Sequence, residues 1–230
     1  MNRNIDWVRV QNELHSSGFA MIPSLLSPDE CSRLIDLYTD EGRFRSTINM
    51  ERYRFGKGEY KYLAYPLPAI IQELREFFYP PLVPVANEWM QKLGIDVRYP
   101  AGLEEFLSVC HGAGQHRPTP LILRYERGGF NTLHQDMYGD VFFPFQVVFL
   151  LTQPGQDFRG GELVFVEQLP RAQSRAEVLA PSMGDAIVFT TNFRPVKGSR
   201  GFYRARMKHG VSPVKDGIRY TMGIIFHDAT

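Results

Sequence analysis

The chain has little cysteine, little tryptophan and no excess of either charge. Its 230 residues include two Cys and two Trp, and 26 Lys and Arg stand against 25 Asp and Glu, for a formal net charge of +1. Cys31 and Cys110 lie far apart in apolar, helix-like surroundings. That excludes a disulfide framework or a cysteine-based zinc site and predicts two buried thiols. The charge balance excludes a global field that would draw the chain to nucleic acid or to an anionic membrane, so any electrostatic preference has to be local. The longest apolar run, 141–151, is interrupted by Pro144 and Gln146 and is too short to span a bilayer, and the N-terminal segment has no apolar signal core. No membrane association, no disulfide partner and a cytoplasmic location are therefore expected. Internal repeats and low-complexity segments are also missing.

What is present is apolar bulk: 43% hydrophobic and 13% aromatic residues, enough for a sizeable core. The first half reads as helical. Ser27-Pro28-Asp29-Glu30 has capping-box spacing with proline at the first helical position, and Cys31, Leu34, Ile35 and Tyr38 follow at helical intervals. Further helices are predicted over 5–16, 68–78, 83–93 and 103–110, with Gly18 and Gly94 as stops. The stretch Phe-Gly-Lys-Gly-Glu-Tyr-Lys-Tyr, 55–62, reads as an exposed loop or short strand. From 121 onward short β-like runs are separated by glycine and proline: 121–126, 132–136, 146–152, 162–167, 177–180, 186–190, 203–209 and 219–227. The expected class is α+β. Residues 1–119 would form a mainly helical support packed on the sheet and residues 120–230 a jelly-roll catalytic core, the two making one integrated domain.

The chemistry concentrates at His134 and Asp136, two residues apart at the end of an apolar run. In an extended backbone both point to one face. They are two thirds of a 2-His-1-carboxylate facial triad, the arrangement that holds non-haem Fe(II) with positions left open. With six His and eleven Asp in the chain, chance supplies such a pair roughly one time in four, so the signal must come from its surroundings. His209, which closes the run 203–209, is the candidate third ligand, expected on a strand of the opposite sheet. Ten residues later Arg219 opens the last strand, and Thr221 shares its face. A buried arginine needs a carboxylate, and its planar fork suits one that arrives with a ligand. His15, His111 and His116 have no partner in this pattern and are expected on the surface or in loops. His227 is expected to end the last strand.

His134-Gln-Asp136, His209 and Arg219 together resemble the signature of the Fe(II)/2-oxoglutarate-dependent dioxygenases, a superfamily with a double-stranded β-helix, the cupin-like jelly roll. The segment from Arg124-Tyr125 to Asp136 is similar to that of the AlkB-like nucleic-acid repair dioxygenases, in which a tyrosine nine residues before the first histidine touches the co-substrate; Tyr125 has that spacing. Leu-His-Gln-Asp-Met-Tyr-Gly-Asp ending at Asp140, Gly-Gly-Glu-Leu ending at Leu163 and Gly-Ile-Ile-Phe-His-Asp-Ala ending at Ala229 resemble a bacterial family of oxygenases described as acting on damaged nucleic acid. The resemblance implies Fe(II) on His134, Asp136 and His209, with 2-oxoglutarate against Arg219, Thr221 and Tyr125. It further implies O₂ as co-substrate and ascorbate as a stimulant. The implied reaction is C–H hydroxylation with release of succinate and CO₂, and the implied substrate class is alkylated nucleobases undergoing oxidative demethylation.

Leu123 and Ile225 stand where the AlkB pattern has an asparagine and a second arginine, and the ten-residue interval from His209 to Arg219 is that of the prolyl 4-hydroxylases. A protein, peptide or small-molecule hydroxylase is therefore an alternative, and a non-catalytic jelly roll that senses 2-oxoglutarate or metal is a third reading. Two segments are candidates for substrate contact. Lys57, Glu59, Tyr60 and Tyr62 would form a lid or substrate loop, as against an ordinary turn. Arg200 and Arg204, within a stretch of six basic residues and no acid from Arg194 to Lys208, would rim the site for an anion such as nucleic acid, as against a solvated hairpin.

Overall fold

A computed structural model of the chain describes residues 4–230. Helix α1 (Trp7–Ser17) starts at Asp6, whose side chain accepts the Arg9 amide, and stops at Gly18 in the left-handed region. Strand β1 (Phe19–Ile22) leads to α2 (Pro28–Asp36). There the capping box forms as the sequence predicts: Ser27 Oγ accepts the Glu30 amide, and the Glu30 carboxylate accepts the Ser27 amide. β2 (Phe44–Asn49), β3 (Gly56–Lys57) and β4 (Glu59–Leu63) follow, then α3 (Ala69–Lys92) and α4 (Leu103–Gly112). Cys31 and Cys110 are both free and buried.

The two helices predicted over 68–78 and 83–93 are one helix of 24 residues, with Pro80, Pro81 and Pro84 inside it. A proline within a helix costs roughly 3 kcal/mol. Against that, Leu74, Phe78, Leu82, Ala86 and Trp89 are all fully buried, and a buried large apolar side chain contributes roughly 1.5–3 kcal/mol. Packing therefore overrides the local breaker. The Gln11 side chain of α1 also donates to the Pro81 carbonyl at 2.9 Å.

The remaining strands are β5 (Leu121–Tyr125), β6 (Phe130–His134), β7 (Phe145–Leu150), β8 (Phe158–Gly160), β9 (Leu163–Gln168), β10 (Arg175–Leu179), β11 (Ala186–Thr190), β12 (Phe193–Gly198), β13 (Gly201–Val211), β14 (Val214–Gly217) and β15 (Arg219–Ile225). All eight expected strands are present, shifted by a few residues at most, and β8, β12 and β14 are additional. A seven-stranded major sheet has the order β1-β11-β7-β15-β5-β4-β2. The minor sheet has the order β10-β9-β13-β6-β3, with β12 paired to β13, and β14 pairs with β8. The ladders between these strands are antiparallel. The N-terminal region is thus more than a helical support: β1, β2 and β4 are strands of the major sheet itself, and β3 edges the minor one.

Strand alternation assigns the two faces of the major sheet. Phe145, Val147 and Phe149 of β7, Ala186 and Val188 of β11, and Met222 and Ile224 of β15 pack in one core with Leu14, Phe78 and Trp89 of the helices. The intervening residues face the minor sheet. Ile187 and Phe189 meet Leu163, Phe165 and Met207 there, while Gln146, Val148, Arg219, Thr221, Gly223 and Ile225 line a cavity between the sheets. A strand buried on both faces reads as a continuous apolar run, which is why the polar residues Gln146 and Arg219 stand out inside theirs.

His111 and His116 are exposed, as the sequence predicts, although His111 Nε2 also lies 3.0 Å from a carboxylate oxygen of the buried Asp228. Two other histidine expectations change. His15 is half-buried, and the Trp89 indole donates to its Nδ1 at 3.1 Å. His227 follows β15 and is fully buried, its Nδ1 accepting the Phe143 amide at 3.1 Å.

Candidate metal centre and its cavity

β6 and β13 are neighbours in the minor sheet, and their register sets His134 directly across from His209. The two ligands were expected on opposite sheets; they instead stand side by side on adjacent strands, ring centroids 4.2 Å apart. This follows from β13 being the partner of β6 as well as of β9. Asp136 lies just past the end of β6, where its amide is held by the Thr191 carbonyl at 3.3 Å. Its Oδ2 is 3.1 Å from His209 Nε2 and its Oδ1 3.5 Å from His134 Nε2. One ligand atom from each of the three residues falls within 4.8 Å of the others.

Protein hydrogen bonds hold His134 and Asp136 in place, whereas His209 packs edge-on against the Phe189 ring and its buried Nδ1 has no partner. His134 Nδ1 donates to the Thr132 carbonyl at 2.8 Å, which leaves the Nε2 lone pair facing the common point. Asp136 accepts the Tyr138 hydroxyl on Oδ1 and the Gln146 amide on Oδ2, both at 2.8 Å. Burial pushes the Asp136 carboxyl up, but His209, then His134 and the Gln146 hydrogen bond outweigh it and hold the group well below the usual carboxylate range. Burial, followed by the neighbouring His209, pushes His134 down. The result is a neutral imidazole beside an ionised carboxylate, the protonation a metal ligand set requires.

A cavity of about 230 Å³ extends from these ligands to the facing strands of the major sheet, where it reaches Tyr125, Arg219 and Thr221. Arg219 is directly across from Tyr125 in the β15–β5 ladder, and its Cζ sits 5.7 Å from that ring and 5.9 Å from the Phe158 ring. The guanidinium is 2% exposed, and its Nε and Nη1 donate to no protein acceptor. Burial lowers its pKa to about 10 despite some compensation from Tyr125 and Glu162. Burial likewise pushes the Tyr125 phenol up to about 12. Buried donors without acceptors are rare and costly. An anionic ligand with a carboxylate at this depth supplies the missing acceptors.

Two glycines shape this end. A Cβ at Gly161, whose φ is +66°, would come 2.8 Å from Arg219 Cδ, so the Gly160-Gly161 pair clears room for the arginine in addition to making a turn. Gly58 is the single residue between β3 of the minor sheet and β4 of the major sheet, and a Cβ there would come 2.8 Å from the Tyr125 ring. The chain can cross between the sheets over that tyrosine only without a side chain.

The residues singled out for substrate contact are dispersed. Tyr60 lines the cavity. Tyr62 is buried, edge-on to Tyr60 and Tyr138. Glu59 accepts the Tyr38 hydroxyl at 2.7 Å, and Lys57 is exposed on β3, across from Phe130. Arg200 is at the tip of the β12–β13 hairpin, while Arg204 lines a groove beside the cavity. Arg194 of the same basic stretch is a buried structural group, paired with Glu167 at 2.6 Å. Residues the sequence did not single out include Gln146 and Tyr138, while Gly160-Gly161-Glu162 reads in the sequence as a turn before a strand more than as a functional loop. Gln146 had a signal, a lone amide inside an apolar run.

The donor set fits Fe(II): two imidazoles and one carboxylate converge, with the rest of the sphere facing a cavity. Arg219, with two buried donors left over, fits the far carboxylate of 2-oxoglutarate.

The sequence model of a family described as an oxygenase catalysing oxidative methylation of damaged DNA matches residues 58–229. An uncharacterized protein of Mycobacterium tuberculosis is 47% identical over 164 residues, 71% of this chain and 70% of that protein. Among solved structures, a 2OG-Fe(II) oxygenase family oxidoreductase from Burkholderia pseudomallei superposes with a TM-score of 0.57 at 17% identity over 100% of this chain and 96% of that one. A Pseudomonas putida prolyl-4-hydroxylase gives 0.55 at 15% identity over 96% and 98%. A non-heme alpha ketoglutarate dependent epimerase from nogalamycin biosynthesis gives 0.56 at 13% over 94% and 80%. The fold is therefore the double-stranded β-helix of these oxygenases. Among the described residues no helix is long and apolar enough to cross a membrane.

Proposed function

Since the chain belongs to this family of oxygenases, we propose that it is an Fe(II)- and 2-oxoglutarate-dependent dioxygenase that oxidises an alkyl group on a damaged nucleobase. The observation that carries the cofactor reading is Arg219, a buried cation with two unused donors at the far end of a cavity whose other end holds a His-Asp-His ligand set. When bound, Fe(II) with 2-oxoglutarate and O₂ supplies hydroxylation of a C–H bond and releases succinate and CO₂. The chain's own groups do the rest. His134, Asp136 and His209 hold the metal, with Gln146 and Tyr138 fixing the carboxylate between them. Arg219 receives the distal carboxylate, and the Thr221 and Tyr125 hydroxyls orient it. Leu123, Val148, Leu163 and Phe189 wall the space against water.

At the open side Phe55, Tyr60 and Met137 line the cavity, surfaces suited to a flat base. Hydroxylation of an N-methyl carbon gives a hemiaminal that collapses to formaldehyde and the free amine, so the net change is demethylation. The substrate class rests on the family's description and on these aromatic surfaces. The test is succinate and formaldehyde release with Fe(II), 2-oxoglutarate and ascorbate. Methylated single-stranded DNA is compared with unmethylated DNA and a proline-containing peptide, in wild type and His134→Ala. Methylation-dependent formaldehyde that vanishes in the variant is expected; equal, negligible turnover in both proteins sinks the catalytic reading. The ten-residue interval from His209 to Arg219 favours a peptide hydroxylase as the second reading, and peptide-dependent succinate without formaldehyde would select it.

A further inference from the structure

We propose that the groove beside the metal cavity is the track for the phosphodiester backbone of a single-stranded nucleic acid whose damaged base enters the cavity; the inference rests on the nucleic-acid reading above. Gln135 and Met137 line both spaces, so the short wall around Asp136 separates the cavity from the groove. From there the groove runs past Phe142 and Asn192 to the 168–172 segment after β9. Arg171, Arg204 and Arg206 rim it, and no acidic residue lines it.

What sets these arginines apart is that three of them gather at one concavity with no acid to offset them. Arg194 on the adjacent strand β12, by contrast, is paired with Glu167 at 2.6 Å. Among the described residues Arg171, Arg204 and Arg206 form no ion pair, and Arg204 instead lies over the Phe193 ring with Cζ 5.2 Å from its centroid. Three unpaired cations around one concavity repel each other and attract a polyanion. Arg204 and Arg206 are two residues apart on β13 and share a face, about 6.7 Å apart along the strand. That is close to the separation of successive phosphates in an extended single strand.

The junction suits a base turning out of the backbone. Met137 is 56% exposed there, and the Gln135 amide is anchored from behind by the Asn192 and Met207 carbonyls at 2.5 and 2.9 Å. The cavity lies between the two sheets, so a base reaches it only when swung out of a stack, from a single strand or a locally opened duplex.

Fluorescence anisotropy with a labelled single-stranded oligonucleotide carrying one N-methylated base tests the assignment. Arg204→Glu with Arg206→Glu is expected to weaken binding at least about tenfold near 0.1 M salt, and to lower the slope of log affinity against log salt by about two. Arg204→Lys with Arg206→Lys keeps most of both. Lys215→Glu on β14, outside the groove, changes affinity less than about twofold. If wild type binds and demethylates the oligonucleotide while the double Glu variant binds it equally well, the groove assignment is overturned and the substrate reading stands. If wild type neither binds nor demethylates any oligonucleotide, both fall. An acidic peptide that competes as well as the oligonucleotide overturns the polynucleotide as occupant.

Discussion

The two ends of the cavity solve opposite problems. At the metal end protein hydrogen bonds steady two of the three groups: Thr132 holds His134, and Tyr138 and Gln146 hold Asp136, while His209 is placed by its strand and by the Phe189 ring. At the arginine end the protein provides a cation and withholds the partner, leaving Arg219 buried with two donors unused. One end is largely organised before anything binds; the other, where the unpartnered group is a charge, is completed only by what binds. A charge that is buried and unpaired costs several kcal/mol, so the fold carries a local deficit that a ligand carboxylate removes. The metal can therefore be held in the absence of co-substrate, whereas the arginine end has a reason to stay occupied.

The largest expected effect breaks the metal end. Asp136→Ala removes the carboxylate between the two imidazoles, and Fe(II) binding measured by calorimetry is expected to disappear. Arg219→Met probes the contrast itself. The apo protein gains about 2 kcal/mol in urea unfolding because an uncompensated charge is gone, while 2-oxoglutarate binding weakens by more than about 100-fold. A variant that loses both stability and binding would show that Arg219 is not in deficit. Gln146→Leu is smaller. It leaves one carboxylate oxygen without its donor, and Fe(II) affinity is expected to fall about 10- to 100-fold with 2-oxoglutarate affinity of the metal-loaded protein much less altered.

The smallest effect at neutral pH concerns His227, which lies near Tyr138 behind the metal end. Burial, then Arg75, depresses its pKa from 6.5 to about 4. The unfolded chain accepts that proton first, so the stability contribution is intact above about pH 6.5 and is lost as the pH falls toward 4. Between pH 7 and pH 5 this amounts to about 2 kcal/mol. His227→Asn, which keeps an acceptor for the Phe143 amide, should flatten that part of the urea-stability profile; an unchanged slope would mean that His227 is not the group responsible.

Much of the metal end was legible because ligand chemistry fixes residue types and strand period fixes faces. His134, Asp136, His209, Arg219 and Thr221 are all named by those two rules, and the eight C-terminal strands by alternation and turn residues. The partition between sheets was not legible: that β13 lies beside β6 depends on pairings between residues about 75 positions apart, which leave no local trace. The N-terminal strands escaped for a similar reason. Phe19–Ile22 is only four residues long, and Phe44–Asn49 is largely polar, so each is a strand because the sheet offers it an edge. The α3 prolines misled in the other direction, since burial of the helix overrode a local penalty. Tyr138 and Gly161 carried no signal beyond their motifs, because their roles are contacts with residues distant in sequence.

Gly58 joins the two sheets with one residue, pressed against Tyr125 between the metal-bearing and arginine-bearing layers. A link that short, about 3.8 Å from one Cα to the next, permits almost no slack. It acts as a ruler at this corner: beside Tyr125 the backbone fixes how far the sheet that bears His134 stands from the sheet that bears Arg219, while the residues at the mouth are free to change.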